Sequence, residues 1–374
     1  MIATLKIYLY PSKMQETKML GFCHTARFVY NWALGRKIED YNLYGETLKL
    51  QDLITELQEL KATEDYDWLN NTAEAVTKQS IKDLFVAYNN FFKQGKGFPK
   101  FKSKNRSKLS FYQRTDKVKL HANNSITITG IGRVKVKKCN WLPRKPINPR
   151  VVFDGKYWYL TIGHEVLEQN IELTDNSIGV DLGIKKLAVR SDGVEVPNIN
   201  KSRNVKVLER KLKTLQRKVS NKYENNKMRG GSYNKTKNIL KVEGKIKLIH
   251  RRLKNIRDNH IHNATSDIVK AKPCRVVVED LNVKGMMKNK HLAKAIANQG
   301  FYKFQTYLEY KCKFWGIAFV KAERTFPSSK LCSCCGSKKA KLSLSERTYI
   351  CTSCGMVKDR DLNAAENLAK YTIA

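Results

Sequence analysis

The pattern of hydrophobic and polar positions divides the first half of the chain into a strand, a helical stretch and a second group of strands. Apolar and polar residues alternate over 3–10, which predicts a β-strand, and over about 12–92 the apolar residues recur at helical spacing. Alternation returns over 109–164, where Asp154-Gly155 predicts a hairpin turn. We therefore predict one β-barrel, built from the first strand and the later strands, with the helical stretch inserted between them.

The second half of the chain has the pattern of a sheet covered by helices. The stretch SIGVDLGIKKLAVRSDG predicts two strands joined by a short turn, and CRVVVEDL (274–281) predicts a buried strand. Three further elements complete an α/β unit: a helix near 300–315, the strand IAFV (317–320) and a final helix from about Leu362.

Two long basic helices are predicted between these strands, with a break at Gly230-Gly231. Each helix carries apolar residues at spacings of three and four, which places them on one face. In the first helix these positions are 208, 212, 215 and 219, and in the second they are 239, 242, 246, 249, 253 and 256. The two apolar seams predict an antiparallel hairpin whose lysine and arginine faces point outward.

Charge is the feature of the composition that most narrows the function. The 374 residues include 71 Lys and Arg against 34 Asp and Glu, a formal net charge of +37. Residues 91–150 hold 17 basic and 1 acidic residue (net +16), and residues 201–260 hold 20 and 4 (net +16), so two segments carry most of the excess. This balance excludes an acidic metabolic enzyme and indicates a polyanionic partner, because neutralising phosphates releases condensed counterions. The alternative is that these segments are solvated helix faces.

The remaining composition is that of a folded protein without a membrane segment. Hydrophobic residues make up 41% of the chain, which excludes a disordered basic tail because cores can be buried. No apolar run approaches the roughly eighteen residues of a membrane span, and the N-terminus lacks the pattern of a signal peptide. We therefore expect a soluble, cytoplasmic, nucleoid-associated protein without a membrane partner.

Five of the nine cysteines fall between 332 and 354, and four of them form a paired motif. Cys332 and Cys335 make one C-x-x-C turn, and Cys351 and Cys354 make a second one after fifteen intervening residues. Two such turns supply the four thiolates of a closed, structural zinc site, and Cys334 is then a spare cysteine. The alternatives are a chance arrangement or a redox C-x-x-C pair.

Carboxylates stand at the ends of several predicted strands. Asp181 interrupts the apolar strand IGVDLGI, Glu279 and Asp280 end the run RVVVED, and Asp359 and Asp361 precede the last helix. A buried carboxylate is costly unless it is paired or bound to a metal. Three converging carboxylates could hold two hard cations about 4 Å apart, an arrangement that supports phosphodiester hydrolysis. For any one carboxylate alone, a helix cap or a surface ion pair is an equally open interpretation.

Several motifs resemble those of one protein family. GVDLGIKKLAV, VVVEDLNVKGM, PSSKLCSCCG and CTSCGMVKDRDLNAAENLA are similar to the RuvC-like nuclease domain and zinc ribbon of TnpB proteins. These proteins are RNA-guided endonucleases encoded by insertion sequences and are related to type V CRISPR effectors. Because HTARFVYNWAL and QSIKDLFVAYNNFFKQGKGFPKFKSK near the front also resemble the family, the similarity covers almost the whole chain in the family's order.

The resemblance implies a multidomain fold of α/β and β type. A β-barrel wedge domain (1–11 and 94–170) would be interrupted by a helical recognition domain (12–93). A RuvC-like, RNase H-like α/β nuclease domain (171–374) would follow, with a zinc ribbon (328–358) inserted in it.

The resemblance also implies an active site. Asp181 of the DLGI strand, Glu279 of VVVEDL and Asp361 of the D-x-N-A-A element would be the catalytic residues and would bind two Mg²⁺ ions, with Zn²⁺ as a structural ion. The implied function is that of a prokaryotic transposable element's DNA endonuclease. The sequence leaves its oligomeric state open, and a monomer on the RNA is our expectation. Its guide RNA would come from the transposon end, and it would cut double-stranded DNA beside a short transposon-adjacent motif.

Eight polar residues are candidates for contact with nucleic acid, although such residues are often merely solvated. Lys78, Gln79, Tyr112 and Gln113 are candidates for reading the adjacent motif, and Lys213, Arg217, Lys247 and Lys254 for contacting the guide or heteroduplex. The alternative functions are a nuclease-inactive RNA-guided repressor, a transposase or transposase accessory protein, and a simple zinc-ribbon DNA-binding protein. The three intact acids favour an active nuclease.

Overall fold

The chain divides into two compact units. The computed structural model describes residues 1–374 except 105–106, 140, 170, 228–230, 232, 234, 344 and 373–374. The N-terminal unit spans Ile2–Val166, and the C-terminal unit comprises Met1 and Leu167–Ala374.

The N-terminal unit contains a seven-stranded antiparallel sheet with the first strand in its middle. The strands are β1 (Ile2–Tyr10), β2 (Leu109–Tyr112), β3 (Leu120–His121), β4 (Ser125–Ile128), β5 (Gly132–Val136), β6 (Ile147–Phe153) and β7 (Trp158–Glu165). Their order is β2-β6-β7-β1-β5-β4-β3. Leu5 in β1 pairs with Ile162 in β7, and Leu9 pairs with Trp158 in β7 and Val136 in β5. The first strand therefore joins strands that follow the helices, as the alternation predicted.

The helices between β1 and β2 are α1 (Lys13–Tyr44), α2 (Leu50–Ala62) and α3 (Glu74–Gln94). Ser12 begins α1 with a capping box, in which its hydroxyl accepts the Gln15 N–H and the Gln15 side chain accepts the Ser12 N–H. One stretch of α1, with Phe22, packs into the core of the sheet, and a later stretch, with Val29, packs against α2 and α3. The predicted insertion of a helical segment into the sheet is confirmed.

The predicted β-barrel is wrong, because the sheet is open. β2 and β3 form its two edges, and no ladder joins them among the described residues. Closure requires edge strands that hydrogen-bond along their length, whereas β3 has 2 residues and β2 has 4. The hairpin at Asp154-Gly155 is confirmed, since Gly155 has a φ of 94° and the Asp154 N–H donates to the Tyr157 carbonyl at 3.1 Å.

The C-terminal unit contains a five-stranded mixed sheet. Its strands are β8 (Thr174–Leu182), β9 (Lys186–Arg190), β10 (Glu195–Pro197), β11 (Pro273–Glu279) and β12 (Ala318–Ala322). The order is β10-β9-β8-β11-β12, in which β8, β11 and β12 run parallel and the other two pairings are antiparallel. Val180 of β8 and the valine run 276–278 of β11 are fully buried, which explains why these strands could be predicted as apolar runs.

Helices cover this sheet, and a small hairpin follows it. These elements are α4 (Arg203–Asn225), α5 (Lys237–Lys270), α6 (Val283–Met286), α7 (Ala293–Gln299), α8 (Phe301–Phe314), β13 (Thr348–Ile350), β14 (Val357–Asp359) and α9 (Arg360–Ala369). The predicted α4–α5 hairpin is confirmed by the packing of Leu208 and Leu212 against Ile249 and Leu253. Gly230, at the predicted break, lies outside the described residues. None of the helices in the described parts of the chain combines the length and apolar character needed to cross a bilayer.

Candidate active site and metal centre

Asp181 and Glu279 occupy matching positions on two neighbouring parallel strands. The register of β8 and β11 pairs Val180 with Val278, so the next residue of each strand is a carboxylate. Paired residues of adjacent strands point to the same face, with the strands about 4.8 Å apart. Both valines are fully buried, whereas the two carboxylates are half-buried at the end of the strands. The structure therefore brings these two predicted residues together.

Helix α9 brings the third carboxylate towards the same place. It lies against β8 at Gly179, where a Cβ atom would overlap the carbonyl oxygen of Ala365 and the backbone nitrogen of Ala369. Glycine at this strand position permits the close approach of the two backbones. Asp361 lies in the first turn of α9, so the seating of the helix on β8 determines its distance from Asp181.

The carboxylates influence one another electrostatically. Burial raises the pKa of Asp181 well above its ordinary value, and the charges of Glu279 and Asp361 raise it further. Burial also raises the pKa of Glu279, an effect that a hydrogen bond from Ser328 opposes. Several ionised carboxylates in a partly desolvated site repel one another unless a positive charge compensates them. The site therefore favours a bound cation.

The carboxylates of Asp359 and Asp361 make different contacts. Asp359 accepts the backbone N–H groups of Asp361 at 3.0 Å and of Leu362 at 3.1 Å, so it is the N-cap of α9. Among the described residues, the carboxylate of Asp361 makes only long ion pairs, with Arg360 Nε at 3.7 Å and with Arg347 Nη1 at 3.9 Å. Its carboxylate is therefore the more available of the two for a ligand.

The three acids do not form a compact single-ion site. Within the described residues, the cysteine cluster alone brings ligand atoms of three or more side chains within 4.8 Å of one another. The donor set nevertheless suits hard divalent cations, because carboxylate oxygens are the ligands that Mg²⁺ prefers.

The four predicted zinc ligands do converge. The sulfur atoms of Cys332, Cys335, Cys351 and Cys354 all lie within 4.8 Å of one another. The separations Cys332–Cys354 and Cys335–Cys351 are both 3.6 Å, close to the sulfur–sulfur edge of about 3.8 Å that a tetrahedral zinc site with bonds of about 2.3 Å requires. Cys334 is exposed and lies outside the cluster, as expected of a spare cysteine.

Backbone geometry organises the two cysteine turns in the same way. Gly336 and Gly355 have φ values of 74° and 72°, and their N–H groups donate to the carbonyls of Cys332 and Cys351 at 2.9 and 3.1 Å. This left-handed conformation is the one that glycine adopts without strain. Hydrogen bonds from backbone N–H groups lower the pKa of Cys351 to about 6. In contrast, and despite a backbone hydrogen bond from Met356, the pKa of Cys354 is raised to about 12 by the neighbouring cysteine sulfurs, so four thiolates at this place call for a cation to offset their charges.

Two buried asparagines of α9 attach that helix to the first cysteine turn. Asn363 donates to the carbonyl of Leu331 at 2.7 Å and accepts the N–H of Ser333 at 2.9 Å. Asn367 donates to the carbonyls of Ser328 at 2.8 Å and Leu331 at 2.7 Å. The helix that carries the third carboxylate is therefore fastened to the segment that carries the zinc ligands.

Ser328 links the same segment to the second carboxylate. This residue is 3% exposed, and its hydroxyl donates to Glu279 Oε1. Gln305 of α8 also holds this strand end, by donating to the carbonyl of Glu279 at 2.7 Å. Sequence reasoning missed these supporting residues. The available signal was an i, i+4 pair of asparagines in the last helix and a serine just before the first C-x-x-C turn.

The candidates for motif readout have unequal surroundings. Lys78 and Gln79 lie half-buried on α3, and each contacts an acidic residue of that helix. Gln79 and Tyr112 line one cavity of about 230 Å³. Gln113 is only 2% exposed, and its amide group donates to the Thr129 hydroxyl at 2.6 Å and accepts the Thr129 N–H at 3.1 Å. Gln113 is therefore occupied within the fold.

The candidates on the α4–α5 hairpin are on its surface. Lys213, Arg217, Lys247 and Lys254 are all exposed, and Lys254 pairs with Asp258 at 3.2 Å. Lys213 lines a cleft between α4, α5 and α7. Further cations in that cleft, which the sequence did not single out, include Lys206, Arg210, Arg257 and Lys294.

Comparison with family models gives three matches along the chain. Residues 161–290 match a family described as a probable transposase, and residues 301–368 match the Cas12f1-like TNB domain. Residues 1–46 match a helix-turn-helix domain, although in this structure they form β1 and α1.

Whole-length relatives and a solved structure extend these matches. A putative RNA-guided DNA endonuclease of Streptomyces pristinaespiralis is 30% identical over 99% of this chain and 89% of its own length. The putative RNA-guided DNA endonuclease InsQ of Escherichia coli K12 is 29% identical over 98% of this chain and 91% of its own length. A Cas12f1 chain, solved by cryo-EM in a complex with sgRNA and target DNA, has the same fold with a TM-score of 0.62. It is 15% identical, and the match covers 99% of this chain and 98% of that one. The chain belongs to the TnpB family, whose fold is related to that of type V CRISPR effectors.

Proposed function

We propose that the protein is an RNA-guided DNA endonuclease of a transposable element. The observation that carries the proposal is the matched position of Asp181 and Glu279 on parallel strands, with Asp361 on the helix that packs against one of them. The similarity to relatives named as RNA-guided DNA endonucleases runs along the whole chain. A nuclease-inactive repressor and a simple zinc-ribbon DNA-binding protein do not require acids in this arrangement.

Asp181, Glu279 and Asp361 are the proposed ligands of two Mg²⁺ ions. When bound, such ions activate water and stabilise the leaving oxygen of the phosphodiester. The chain's contribution is to fix these acids: Ser328 holds one oxygen of Glu279, and α9 carries Asp361. The four cysteines are the proposed ligands of Zn²⁺, which stabilises the fold around them.

The proposed nucleic-acid partners are a guide RNA from the transposon end and double-stranded target DNA. Base pairing with the guide would select the target, and the protein would read only a short adjacent motif. Lys78, Gln79 and Tyr112 keep their proposed role in that readout, and Gln113 is left out because its amide is occupied. The proposed domain limits are those that the family resemblance implies, with an open sheet in place of the barrel.

A cleavage assay with matched variants tests the proposal. Protein copurified with its RNA is incubated with Mg²⁺ and DNA that carries the matching sequence. Asp181→Ala is expected to abolish cleavage while guide-dependent DNA binding persists, because the basic surfaces are unchanged. Asp175→Ala, an exposed carboxylate of the same strand, serves as the control and should cleave normally.

The assay also separates the alternatives. Full cleavage by Asp181→Ala would contradict the site assignment. Guide-dependent binding without any cleavage by the unmodified protein would instead identify a nuclease-inactive repressor.

A further inference from the structure

A cluster of aromatic rings lies at the C-terminal end of α3 and just beyond it. We call the rings of Tyr88, Phe91, Phe92 and Phe98 the aromatic platform. Phe91 contacts Phe92 and Phe98 with ring centroids 5.0 and 5.4 Å apart, and Tyr88 contacts Phe98 at 5.5 Å and Phe92 at 6.3 Å. The rings are held by one another and by the turn at Gly95, whose φ is 60°.

Two rings of the platform, those of Phe92 and Phe98, are open to solvent, whereas Tyr88 and Phe91 are half-buried. Phe92 is 74% exposed and Phe98 is 46% exposed. Phe101, three residues further on, is 59% exposed. Large exposed apolar side chains that are grouped together indicate a contact surface rather than a random surface position.

Positive charge surrounds the platform. The stretch 88–104 contains five lysines and no acidic residue. Lys93, Lys96, Lys100 and Lys104 are exposed, whereas Lys102 is turned inward, with its Nζ 3.4 Å from the centre of the Tyr30 ring. Exposed rings between flexible cations are the combination that binds unpaired nucleic-acid strands, because bases stack on the rings and phosphates contact the cations.

Other occupants of the platform fit this chemistry less well. A second copy of the chain would bring the same lysines to the contact, and two chains of net charge +37 repel each other. A DNA duplex keeps its base faces stacked inside the helix, so it offers the rings nothing to stack on. The guide RNA of the proposed function, in contrast, carries unpaired bases before any DNA is bound.

We propose that the aromatic platform is a stacking site for unpaired bases of the guide RNA. This inference rests on the proposed RNA-guided function but does not depend on cleavage. Phe92 and Phe98 supply ring faces, and Lys93, Lys96 and Lys100 contact the neighbouring phosphates.

Crosslinking identifies the occupant. The full chain with its copurified RNA is irradiated with short-wavelength ultraviolet light, and crosslinked peptides are mapped by mass spectrometry. Crosslinks from Phe92 or Phe98 to RNA are expected without added DNA. Crosslinks that form only to added DNA, or only to a second protein chain, would overturn the proposal.

Binding measurements with substituted rings test the stacking itself. The probe is a single-stranded RNA of about 12 nucleotides that contains 2-aminopurine, and the protein is freed of bound RNA. Phe92→Leu keeps an apolar side chain but removes the ring, so affinity should fall about fivefold or more, with less quenching of the probe. Phe92→Trp should restore both affinity and quenching. Tyr302→Ala removes a ring that is 75% exposed in the C-terminal unit and serves as the control.

The salt dependence of binding distinguishes base stacking on the rings from phosphate contact by the lysines. Phe92→Leu should lower the affinity equally at all salt concentrations, whereas Lys93→Gln with Lys96→Gln should reduce the salt slope by up to about 0.7 per neutralised phosphate. Equal affinity of Phe92→Leu and the unmodified protein, at an unchanged melting temperature, would refute the platform. Because no step requires cleavage, an inactive nuclease with normal platform binding would refute only the endonuclease assignment.

Discussion

Asp359 and Asp361 are two residues apart but have different tasks, and one substitution applied to each separates them. Asparagine caps a helix about as well as aspartate, so Asp359→Asn should keep both the fold and the cleavage activity. Asp361→Asn removes a proposed ligand charge and should abolish cleavage. The measurements are the cleavage rate with Mg²⁺ and the melting temperature. If Asp359→Asn alone were inactive, the third ligand would have to be reassigned.

Ser328 is expected to position Glu279 for metal binding. Ser328→Ala removes a hydrogen bond to a carboxylate, which is worth about 1.5–3 kcal/mol, so cleavage should slow by about tenfold or more. The Mg²⁺ concentration for half-maximal cleavage should also rise. Ser333→Ala changes another buried serine of the same segment that does not contact Glu279, and it should leave both quantities nearly unchanged. A similar effect of both substitutions would indicate a role in folding only.

At the scale of elements, the close packing of α9 against β8 depends on Gly179, which has no side chain. Gly179→Ala would place a methyl group against the backbone of α9, which should destabilise the C-terminal unit by about 1–3 kcal/mol and remove cleavage. Gly244→Ala in α5 meets no atom within 4 Å and should stabilise the helix by up to about 1 kcal/mol. Denaturant titration of both variants measures these effects. An unchanged stability of Gly179→Ala would contradict the close approach of α9 to β8.

The zinc cluster is expected to stabilise α9 as well as the two cysteine turns that form the cluster. Cys335→Ser or Cys354→Ser should lower the bound zinc to well below one ion per chain, because the site needs four thiolates. Since Asn363 and Asn367 are bonded to the first cysteine turn, amide exchange in α9 should speed up at the same time. Metal analysis and hydrogen exchange are the measurements. Full zinc content in either variant would refute the four-cysteine assignment.

The elements that the sequence predicted well are those determined by local pattern. The apolar runs of β8 and β11 and the seams of α4 and α5 are visible in the residues themselves. The barrel was predicted wrongly because closure depends on whether two edge strands meet, which periodicity does not record. The support of Glu279 by Ser328 was missed for a similar reason. These residues are 49 positions apart, and only the packing of β11 beside the cysteine segment makes them neighbours.

At the scale of the whole molecule, charge is concentrated where local folding does not need it. The seams of α4 and α5 pack against each other, whereas Lys213, Arg217, Lys247 and Lys254 lie exposed on the hairpin. The ion pair of Lys254 with Asp258 is on the surface, and such pairs contribute little stability. These cations are therefore available to bind phosphates, and the alternative is that they are only solvated.

Changing all four to glutamine distinguishes these possibilities. Folding should be nearly unaffected, since exposed substitutions usually change stability by less than about 0.5 kcal/mol each. Nucleic-acid affinity should fall similarly for different guide sequences, because binding to phosphates carries no sequence information. The slope of log affinity against log salt should become shallower by up to about 0.9 for each phosphate that the hairpin no longer neutralises.

A control that changes Lys13, Lys18, Lys49 and Lys82 to glutamine removes the same charge from exposed positions in a segment, 1–90, that has 10 basic and 12 acidic residues. Both variants lose the same four positive charges, so the control shows how much the salt slope changes when only the net charge decreases. If the α4–α5 hairpin binds phosphates, its variant should change the slope more than the control does. Equal slopes for both variants would mean that the hairpin faces solvent.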